Sequence, residues 1–374
     1  MDRGSPCDLI GCHASTWNLK VPPAMKRTWI LLHSVGVLAA AFLPLRGAEV
    51  LQDIAFGSCI RGVDHPMLER VLTLPMDLFL MMGDNIYADT EDMVVMRSKY
   101  DALKASRFFR ELLQKVPVLA TWDDHDLGVN DGGADYPKVR ESKEEFLRWL
   151  DEPADSPRRS REGVYDAHLF GPAGKRVQVI LLDTRSFRGP LKREQAPSKR
   201  LLGGPYIPSQ DGSSTMLGEA QWRWFKDQLT QPAELRIVVS SIQFVSEFSG
   251  GEAWANLPHE KQRMLEVLRD TNANGVMFLS GDRHWCELSR MEGPLEYPLY
   301  DLTASSLTEL HERGTPTENK YRAHPLTYHD VNVGHMHIDW GASDPLITLK
   351  IVDVTGKTRI EHRIQLSELQ PRRR

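Results

Sequence analysis

From about residue 50 onward, the chain alternates between short apolar runs and amphipathic segments. Six apolar runs of strand length predict β-strands, at Leu51–Phe56, Leu78–Met82, Val116–Thr121, Val177–Leu182, Arg236–Ser241 and Gly275–Ser280. Between them, apolar positions recur at helical spacing in Pro66–Leu74, Arg107–Lys115, Glu141–Leu150, Leu217–Leu229 and His259–Arg269. Strands that alternate with helices predict an α/β fold with a mainly parallel sheet whose faces are covered.

The last quarter of the chain has a different pattern. Three short strands separated by turn residues are predicted at His335–Trp340, Leu346–Val352 and Thr358–Ile364, which favours an antiparallel extension of a sheet. Two long stretches without periodicity, Ser186–Thr215 and His311–Asp330, are candidates for a lid or a substrate-binding loop.

The N-terminal region has the order of residues found in signal peptides. Met25-Lys26-Arg27 precedes an apolar run from Ile30 to Leu45, and Gly47-Ala48 follows it. Because a signal peptide begins a chain, Met25 is the expected initiator and residues 1–24 are expected to be a spurious or disordered extension. We therefore divide the chain into 1–24, a signal peptide or membrane anchor at 25–48, and one domain at 49–374.

The apolar run favours cleavage and export to the periplasm or the extracellular space. It is shorter than the ~20 apolar residues of a spanning helix, and it contains His33 and Pro44. The cleavage site is ambiguous, so an uncleaved anchor that associates with the membrane through residues 30–45 stays open. A cytosolic extension is the third alternative.

Composition narrows the class of protein. The 374 residues are 41% hydrophobic and 26% charged, which is typical of a soluble globular protein and excludes collagen-like or wholly disordered classes. Lys and Arg number 46 against 51 Asp and Glu, a net charge of -5, so there is no basic excess for a nucleic-acid scaffold. An acidic chain with clustered carboxylates indicates that the partner is a cation.

Carboxylates and imidazoles follow the predicted strands. The residues in these positions are Asp84, Asp123, Asp124, His125, Asp126, Asp282 and His284. The carboxyl ends of parallel strands meet at one edge of a sheet, so these side chains are expected to converge. Oxygen ligands with imidazole suit Fe, Mn, Zn or Ca. One Asp after one strand would more often be a cap, but the repetition after several strands predicts a metal site.

The motifs after the strands also resemble those of a known family. They are Gly57-Ser58-Cys59, Gly83-Asp84-Asn85-Ile86-Tyr87, Trp122-Asp123-Asp124-His125-Asp126 with Asn130-Asp131, Asp183-Thr184-Arg185, Ser240-Ser241-Ile242-Gln243, and Ser280-Gly281-Asp282-Arg283-His284. In this order, across Ile54 to Trp340, they resemble the PhoD-like (alkaline phosphatase D) metallophosphatases of the calcineurin-like superfamily.

The resemblance implies a fold and an activity. The implied fold is a four-layer α/β/β/α sandwich. The implied activity is metal-dependent hydrolysis of phosphate mono- and diesters by a metal-activated hydroxide, outside the cytoplasm and in phosphate acquisition.

The same resemblance implies the metals. Fe3+ would be held by the Cys59 thiolate, the Tyr87 phenolate and Asp84, and Ca2+ would complete the cluster, with Zn2+ or Mn2+ open as alternatives. A ferric ion favours anionic thiolate and phenolate donors, whereas calcium takes oxygen ligands. The full set of implied metal ligands is Cys59, Asp84, Tyr87, Asp123, Asp124, Asn130, Asp282 and His284.

Three further residues receive catalytic roles from the resemblance. His125 would contact the phosphate and protonate the leaving oxygen, a task for which imidazole is suited near neutral pH. Asn85 would orient phosphate or a bound water. Arg283 would bind a phosphate oxygen or form a structural ion pair.

Three alternatives stay open at this point. A disulfide between Cys59 and Cys286 would remove the thiolate ligand from the site. The enzyme could be a phospholipid-specific phosphodiesterase of phospholipase D type, in which the two long loops would set the preference. A metal-stabilised binding protein without turnover is the non-enzymatic alternative. The motifs do not set the physiological substrate or the oligomeric state.

Overall fold

The computed structural model describes residues 49–194, 204–247, 250–310 and 318–371. The predicted extension at 1–24 and the predicted signal peptide at 25–48 lie outside these residues, as do parts of both predicted loops. Within the described residues, every helix is too short or too polar to cross a membrane.

The described residues contain twelve strands and eight α-helices. The strands are β1 (Asp53–Gly57), β2 (Leu78–Met82), β3 (Val118–Thr121), β4 (Asp166–Phe170), β5 (Val177–Leu181), β6 (Leu235–Ser240), β7 (Val276–Ser280), β8 (Cys286–Met291), β9 (Leu299–Ala304), β10 (Asn332–Asp339), β11 (Leu346–Asp353) and β12 (Thr358–Gln365). The helices are α1 (Pro66–Thr73), α2 (Met93–Ala105), α3 (Arg107–Lys115), α4 (Asp124–Leu127), α5 (Val139–Trp149), α6 (Pro157–Ser160), α7 (Gly218–Leu229) and α8 (Pro258–Asp270). Two short 3₁₀ helices span Trp254–Asn256 and Leu366–Leu369.

The strands form two six-stranded sheets. The first has the order β12-β11-β10-β1-β2-β3, in which β1, β2 and β3 are parallel and the last three strands of the chain are antiparallel. The predicted antiparallel extension is therefore confirmed. The second sheet has the order β4-β5-β6-β7-β9-β8, with β5, β6, β7 and β9 parallel and an antiparallel strand at each edge.

The side chains of β1 show how the layers are built. Ile54 and Phe56 belong to a core cluster that joins both sheets and continues to α7 and α8. Ala55 belongs to a second cluster, shared with α1, α2, α3 and α5. Alternate residues of a strand point to opposite faces, so this strand is buried on both sides. Helices, sheet, sheet and helices follow one another, and the predicted four-layer α/β/β/α sandwich is confirmed.

Candidate metal centre

The carboxyl ends of strands from both sheets meet at one edge of the sandwich. Hydrogen bonds join the sheets there: among them, Thr121 Oγ1 donates to the Leu182 carbonyl at 2.6 Å, and Ser241 Oγ donates to Asp123 Oδ1 at 2.6 Å. The segments after β1, β2 and β3 therefore face those after β5, β6 and β7, which places the predicted motifs together.

Tight turns deliver the side chains at this edge. Gly83 has a φ of +107°, and a Cβ there would lie 2.6 Å from the Asp123 Cβ, so the turn after β2 needs glycine. Four candidate ligands also have left-handed φ: Cys59 at 65°, Asp84 at 51°, Asp282 at 65° and His284 at 58°. Such conformations cost energy in residues other than glycine and cluster at functional sites.

Cys59, Asp84 and His284 form the first group of candidate ligands. One donor atom from each lies within 4.8 Å of the others. The Cys59 thiol donates to Asp84 Oδ2 at 3.4 Å and lies 3.1 Å from Ser305 Oγ. Tyr87 reaches the same place, because its hydroxyl is 2.9 Å from His284 Nε2. Burial, partly offset by hydrogen bonds from Ser305 and Ser58, raises the pKa of the Cys59 thiol to about 12. The neutral thiol is thus favoured when no cation is bound.

Two more groups overlap with the first. Asp84, Asp124 and His125 form one, and Asp123, Asp124 and Asp282 form the other. Burial, reinforced by neighbouring anionic groups, raises the pKa of Asp84. Burial also raises the pKa of Asp282, and Arg283 only partly offsets this. For Asp124, burial is outweighed by Arg185 and other partners, so its pKa is lowered. Carboxylates packed this closely repel one another unless cations are shared between them.

Several buried oxygens at this edge are available to a ligand. Asp84 Oδ1 and Asp123 Oδ2 accept no hydrogen bond from the described residues. Buried acceptors without a partner are rare in proteins and call for a ligand. Together with thiol, phenol and imidazole, these oxygens form a donor set that fits both a transition metal and a harder cation.

A buried ion network supports the cluster from behind. Arg185, fully buried, donates to Asp123 Oδ1 and, at 2.5 Å, to Glu252 Oε2. Arg188 pairs with Glu252 Oε1 at 2.9 Å. The sequence identified only the segment that contains Arg185. It gave no signal for Glu252, which joins Asp124 and Asp131 in a fourth candidate ligand group.

Asn130 is the predicted ligand that the structure places least favourably. Its side chain is exposed, in the loop that follows α4. The neighbouring Asp131 turns inward instead: its backbone N–H donates to Asp124 Oδ2 at 2.6 Å. Asp131, with a left-handed φ of 57°, is the residue of this pair that joins the cluster.

His125 lies in the first turn of α4 beside the ligands. Its Nδ1 is 2.5 Å from Asp89 Oδ1, and its ring stacks on Tyr87 with centroids 4.1 Å apart. Arg61 covers the same tyrosine at 4.4 Å. The imidazole is therefore fixed by a carboxylate on one nitrogen and by a ring on one face.

Asn85 has its amide nitrogen already engaged. Nδ2 donates to the Thr121 carbonyl at 2.9 Å and to Asp126 Oδ2 at 3.1 Å, whereas the buried Oδ1 has no hydrogen-bond partner among the described residues. The atom that remains without a partner in the described part of the chain, Oδ1, is a hydrogen-bond acceptor. It suits a water or a cation and does not suit the phosphate that was one of its two predicted contacts.

Arg283 has the structural contacts that were one of its two predicted roles. Its guanidinium lies 3.5 Å from Asp282 Oδ2 and stacks over Trp285 at 4.6 Å. A Cβ on Gly251 would overlap its Nη1 group, so that loop packs directly on the arginine.

The two described cysteines are not joined. Cys59 and Cys286 are both buried and both free. Cys286 begins β8 and belongs to the apolar core between the sheets. The disulfide alternative is absent from this structure, and Cys59 keeps a sulfur that can bind a metal.

Comparisons with known proteins identify the family of this chain. A profile of the PhoD-like phosphatase family matches residues 63–322. The chain is 21% identical over 294 residues to alkaline phosphatase D of Bacillus subtilis (strain 168), an alignment that covers 65% of this chain and 47% of that protein. It thus spans about half the length of that curated relative.

Solved structures are similar as well. The structure of PhoD matches with a TM-score of 0.62 and 15% identity, over 86% of this chain and 73% of that one, and at this identity it shows the fold alone. A 5'-nucleotidase precursor from Thermus thermophilus matches with a TM-score of 0.36 and 12% identity, over 86% and 56% of the two chains, a likeness that carries no argument. Because the profile covers more than half of the chain, the protein belongs to the PhoD-like phosphatase family.

Proposed function

We propose that this protein is a metal-dependent hydrolase of phosphate mono- and diesters. The observation that carries the proposal is the convergence of Cys59, Asp84, Asp124 and Asp282 in overlapping ligand groups, with buried oxygens that no described residue satisfies. Family membership and the alkaline phosphatase relative support phosphate esters as the substrate class.

The donor atoms divide by chemistry. Cys59, Tyr87, His284 and Asp84 would hold Fe3+, because a ferric ion favours thiolate and phenolate. Asp123, Asp124 and Asp282, with the free oxygen of Asn85, would hold Ca2+. When bound, such cations neutralise charge on phosphoryl oxygens and lower the pKa of water.

His125 is suited to protonate the leaving oxygen. Asp89 occupies Nδ1, so a proton on Nε2 is the one that the ring can deliver. The contact with the Tyr87 ring restricts the orientation of the imidazole. Asp89 acts through His125 and is a positioning residue.

Arg185 contributes electrostatics without touching substrate. It is fully buried and divides its donors between Asp123 and Glu252. It therefore keeps Asp123 oriented. Its positive charge also offsets part of the negative charge of the carboxylate cluster, which would otherwise repel an anionic substrate.

Export is part of the same proposal. Residues 25–48 would direct the chain out of the cytoplasm, where released phosphate could be acquired, and residues 49–374 would form the enzyme. N-terminal sequencing of the protein purified from its native host tests this: a start after residue 40 supports cleavage, and a start at Met1 or Met25 contradicts it.

The first experiment is hydrolysis of bis-p-nitrophenyl phosphate and p-nitrophenyl phosphate by the full chain, with calcium and iron supplied. Cys59→Ala is the test variant, and Cys286→Ala, another buried and free cysteine, is the matched control. We expect turnover to fall about a hundredfold or more in Cys59→Ala and to stay near wild type in Cys286→Ala.

Three outcomes would contradict the proposal. Equal loss in both variants would mean that the cysteines act through folding. Absence of turnover in folded, metal-loaded wild type, with a phosphatidylcholine substrate included in the panel, would favour the binding-protein alternative. Turnover of the lipid alone would favour the phospholipid-specific enzyme.

A further inference from the structure

A cavity lies beside the start of α5. Its volume is ≈ 580 Å³, the size of a site for a small organic molecule. It is lined by the beginning of α5, the segment around α6 and the loop after β5. Among the described residues, those that line it include none of the candidate metal ligands, so it is a separate site.

Lys143 is the most unusual residue in this cavity. It is only 7% exposed, and its ammonium group donates to the Arg161 carbonyl. No carboxylate of the described residues lies within 4.0 Å of that ammonium: Glu144 pairs with Arg159 at 3.6 Å, and Asp166 pairs with Arg161 at 3.7 Å. Burial lowers the pKa of Lys143. The Glu144 and Asp183 carboxylates offset this lowering only in part. An ammonium has three donors, and a buried charge that is only partly compensated is costly.

The first turn of α5 adds donors of a different kind. Lys138 precedes the helix and provides no side-chain cap, while Val139 and Arg140 line the cavity. The first backbone N–H groups of a helix lack partners within the helix, and the helix dipole favours an anion there. Glu141, the acidic residue of this turn, already accepts a hydrogen bond from its own backbone N–H, so the donors that remain are those of Val139 and Arg140. The exposed Arg140 forms no ion pair with a described carboxylate, so its charge is also available.

The rest of the cavity lining also carries more positive than negative charge. Nε of Arg161 is buried and has no hydrogen-bond partner among the described residues. Basic side chains outnumber acidic ones along the wall, with Arg140, Lys143, Arg159 and Arg161 against Glu144 and Glu162. The rings of Tyr136 and Phe187 provide an apolar part of the same wall.

We propose that this cavity binds a small organic phosphate. Lys143, Arg140 and the first turn of α5 receive the phosphoryl group, and Tyr136 and Phe187 contact the organic part. Ammonium, guanidinium and backbone donors around one space suit a tetrahedral anion with several acceptor oxygens better than a planar carboxylate. The site does not depend on the proposed catalytic function.

Calorimetric titration with phenylphosphonate tests this, since its C–P bond is not a phosphate ester. The titration uses the full chain carrying Asp84→Asn, which disables the metal centre and leaves the cavity intact. We expect one equivalent to bind, and the affinity to fall about tenfold or more when Lys143→Met is added. Lys226→Met, an exposed lysine on α7, is the matched control and should change nothing.

Thermal unfolding gives a readout that does not need the metal centre. Removing a buried ammonium that Glu144 and Asp183 compensate only in part should raise the Tm of Lys143→Met in the absence of ligand, and phenylphosphonate should then raise the Tm of wild type but not of this variant. Binding unaffected by Lys143→Met, or no binding to Asp84→Asn, overturns the site. Equal affinity for benzoate overturns the phosphate preference, and equal affinity for inorganic phosphate overturns the organic contact.

Discussion

Asp84 after β2 and Asp301 in β9 are both buried carboxylates, but their oxygens differ in the hydrogen bonds that they accept. Asp301 accepts a hydrogen bond from Ser280 Oγ at 2.7 Å and two more from the backbone N–H groups of Phe244 and Val245, at 2.8 and 2.9 Å. Asp84 has one oxygen 3.4 Å from the Cys59 sulfur and another without a hydrogen-bond partner among the described residues. Both are 1% exposed, so burial does not separate them.

The difference teaches that unused acceptor capacity distinguishes a ligand from a structural carboxylate. Asp126 confirms this from within the metal-site motif. It accepts from the backbone N–H groups of Asn85 and Asp123 and from the Tyr100 hydroxyl, at 3.1, 3.0 and 2.9 Å. It belongs with Asp301 and locks two motif segments together, although its sequence neighbours are candidate ligands.

The largest expected effect comes from exchanging the two carboxylates for amides. We expect Asp84→Asn to lower turnover of p-nitrophenyl phosphate by about a thousandfold, with little loss of stability in the metal-free state. Asp301→Asn should do the reverse: its unfolding free energy should fall by about 2 kcal/mol because an amide keeps only one of the two oxygens that accept hydrogen bonds here, while turnover per folded molecule stays within about threefold. Kinetics and urea unfolding of both variants check this, and a large stability loss in Asp84→Asn would break the comparison.

A smaller effect is expected at the edge of the site. Asp89→Asn keeps a contact to His125 Nδ1 but weakens its hold on the ring. We expect turnover of a methyl phosphate diester to fall about 10- to 100-fold, and that of a nitrophenyl ester to fall less, because a good leaving group needs less protonation. Equal losses with both substrates would mean that Asp89 does not act through His125.

The smallest effect concerns a satisfied carboxylate that belongs to none of the candidate ligand groups. Asp353, 1% exposed at the end of β11, accepts from Thr355, Lys357 and Arg359. Burial acts to raise its pKa, but these hydrogen bonds lower it to about 2, below the usual 3.8. Its stabilisation is therefore complete above about pH 4 and is lost as pH falls toward 2. The stability difference between wild type and Asp353→Asn should shrink over that range in denaturant titrations, and a constant difference would contradict it.

Much of the fold could be predicted from the sequence because most of its strands are continuous apolar runs. Leu78–Met82 and Arg107–Lys115 have the predicted bounds. Helix α2 was not predicted because Val94 is apolar but 76% exposed, so the apolar residues of this segment do not all lie on one face of the helix. Strands β8 and β9 escaped because polar residues such as Glu287 and Asp301 are buried in them by long-range partners, which local patterns do not record.

The candidate site was likewise predicted only in part from the sequence. Motifs that follow strands, such as those with Cys59, Asp84 and Asp282, were predicted because parallel strands deliver their ends to one edge. Ser305 and Glu252 were missed because no periodicity marks the segments that carry them, and only the folded chain brings them to the cluster.

The contact between Cys59 and Ser305 joins positions 246 residues apart. Strand β1 likewise pairs with β10, near the end of the chain. During synthesis, the ribosome therefore releases Cys59, Asp84 and Asp124 long before the residues that complete their surroundings. One candidate group, Asp84 with Asp124 and His125, comes wholly from the early part of the chain, whereas the groups that contain Asp282 or His284 need the later part. Full occupancy of the proposed cluster would therefore report that synthesis and folding have passed His284.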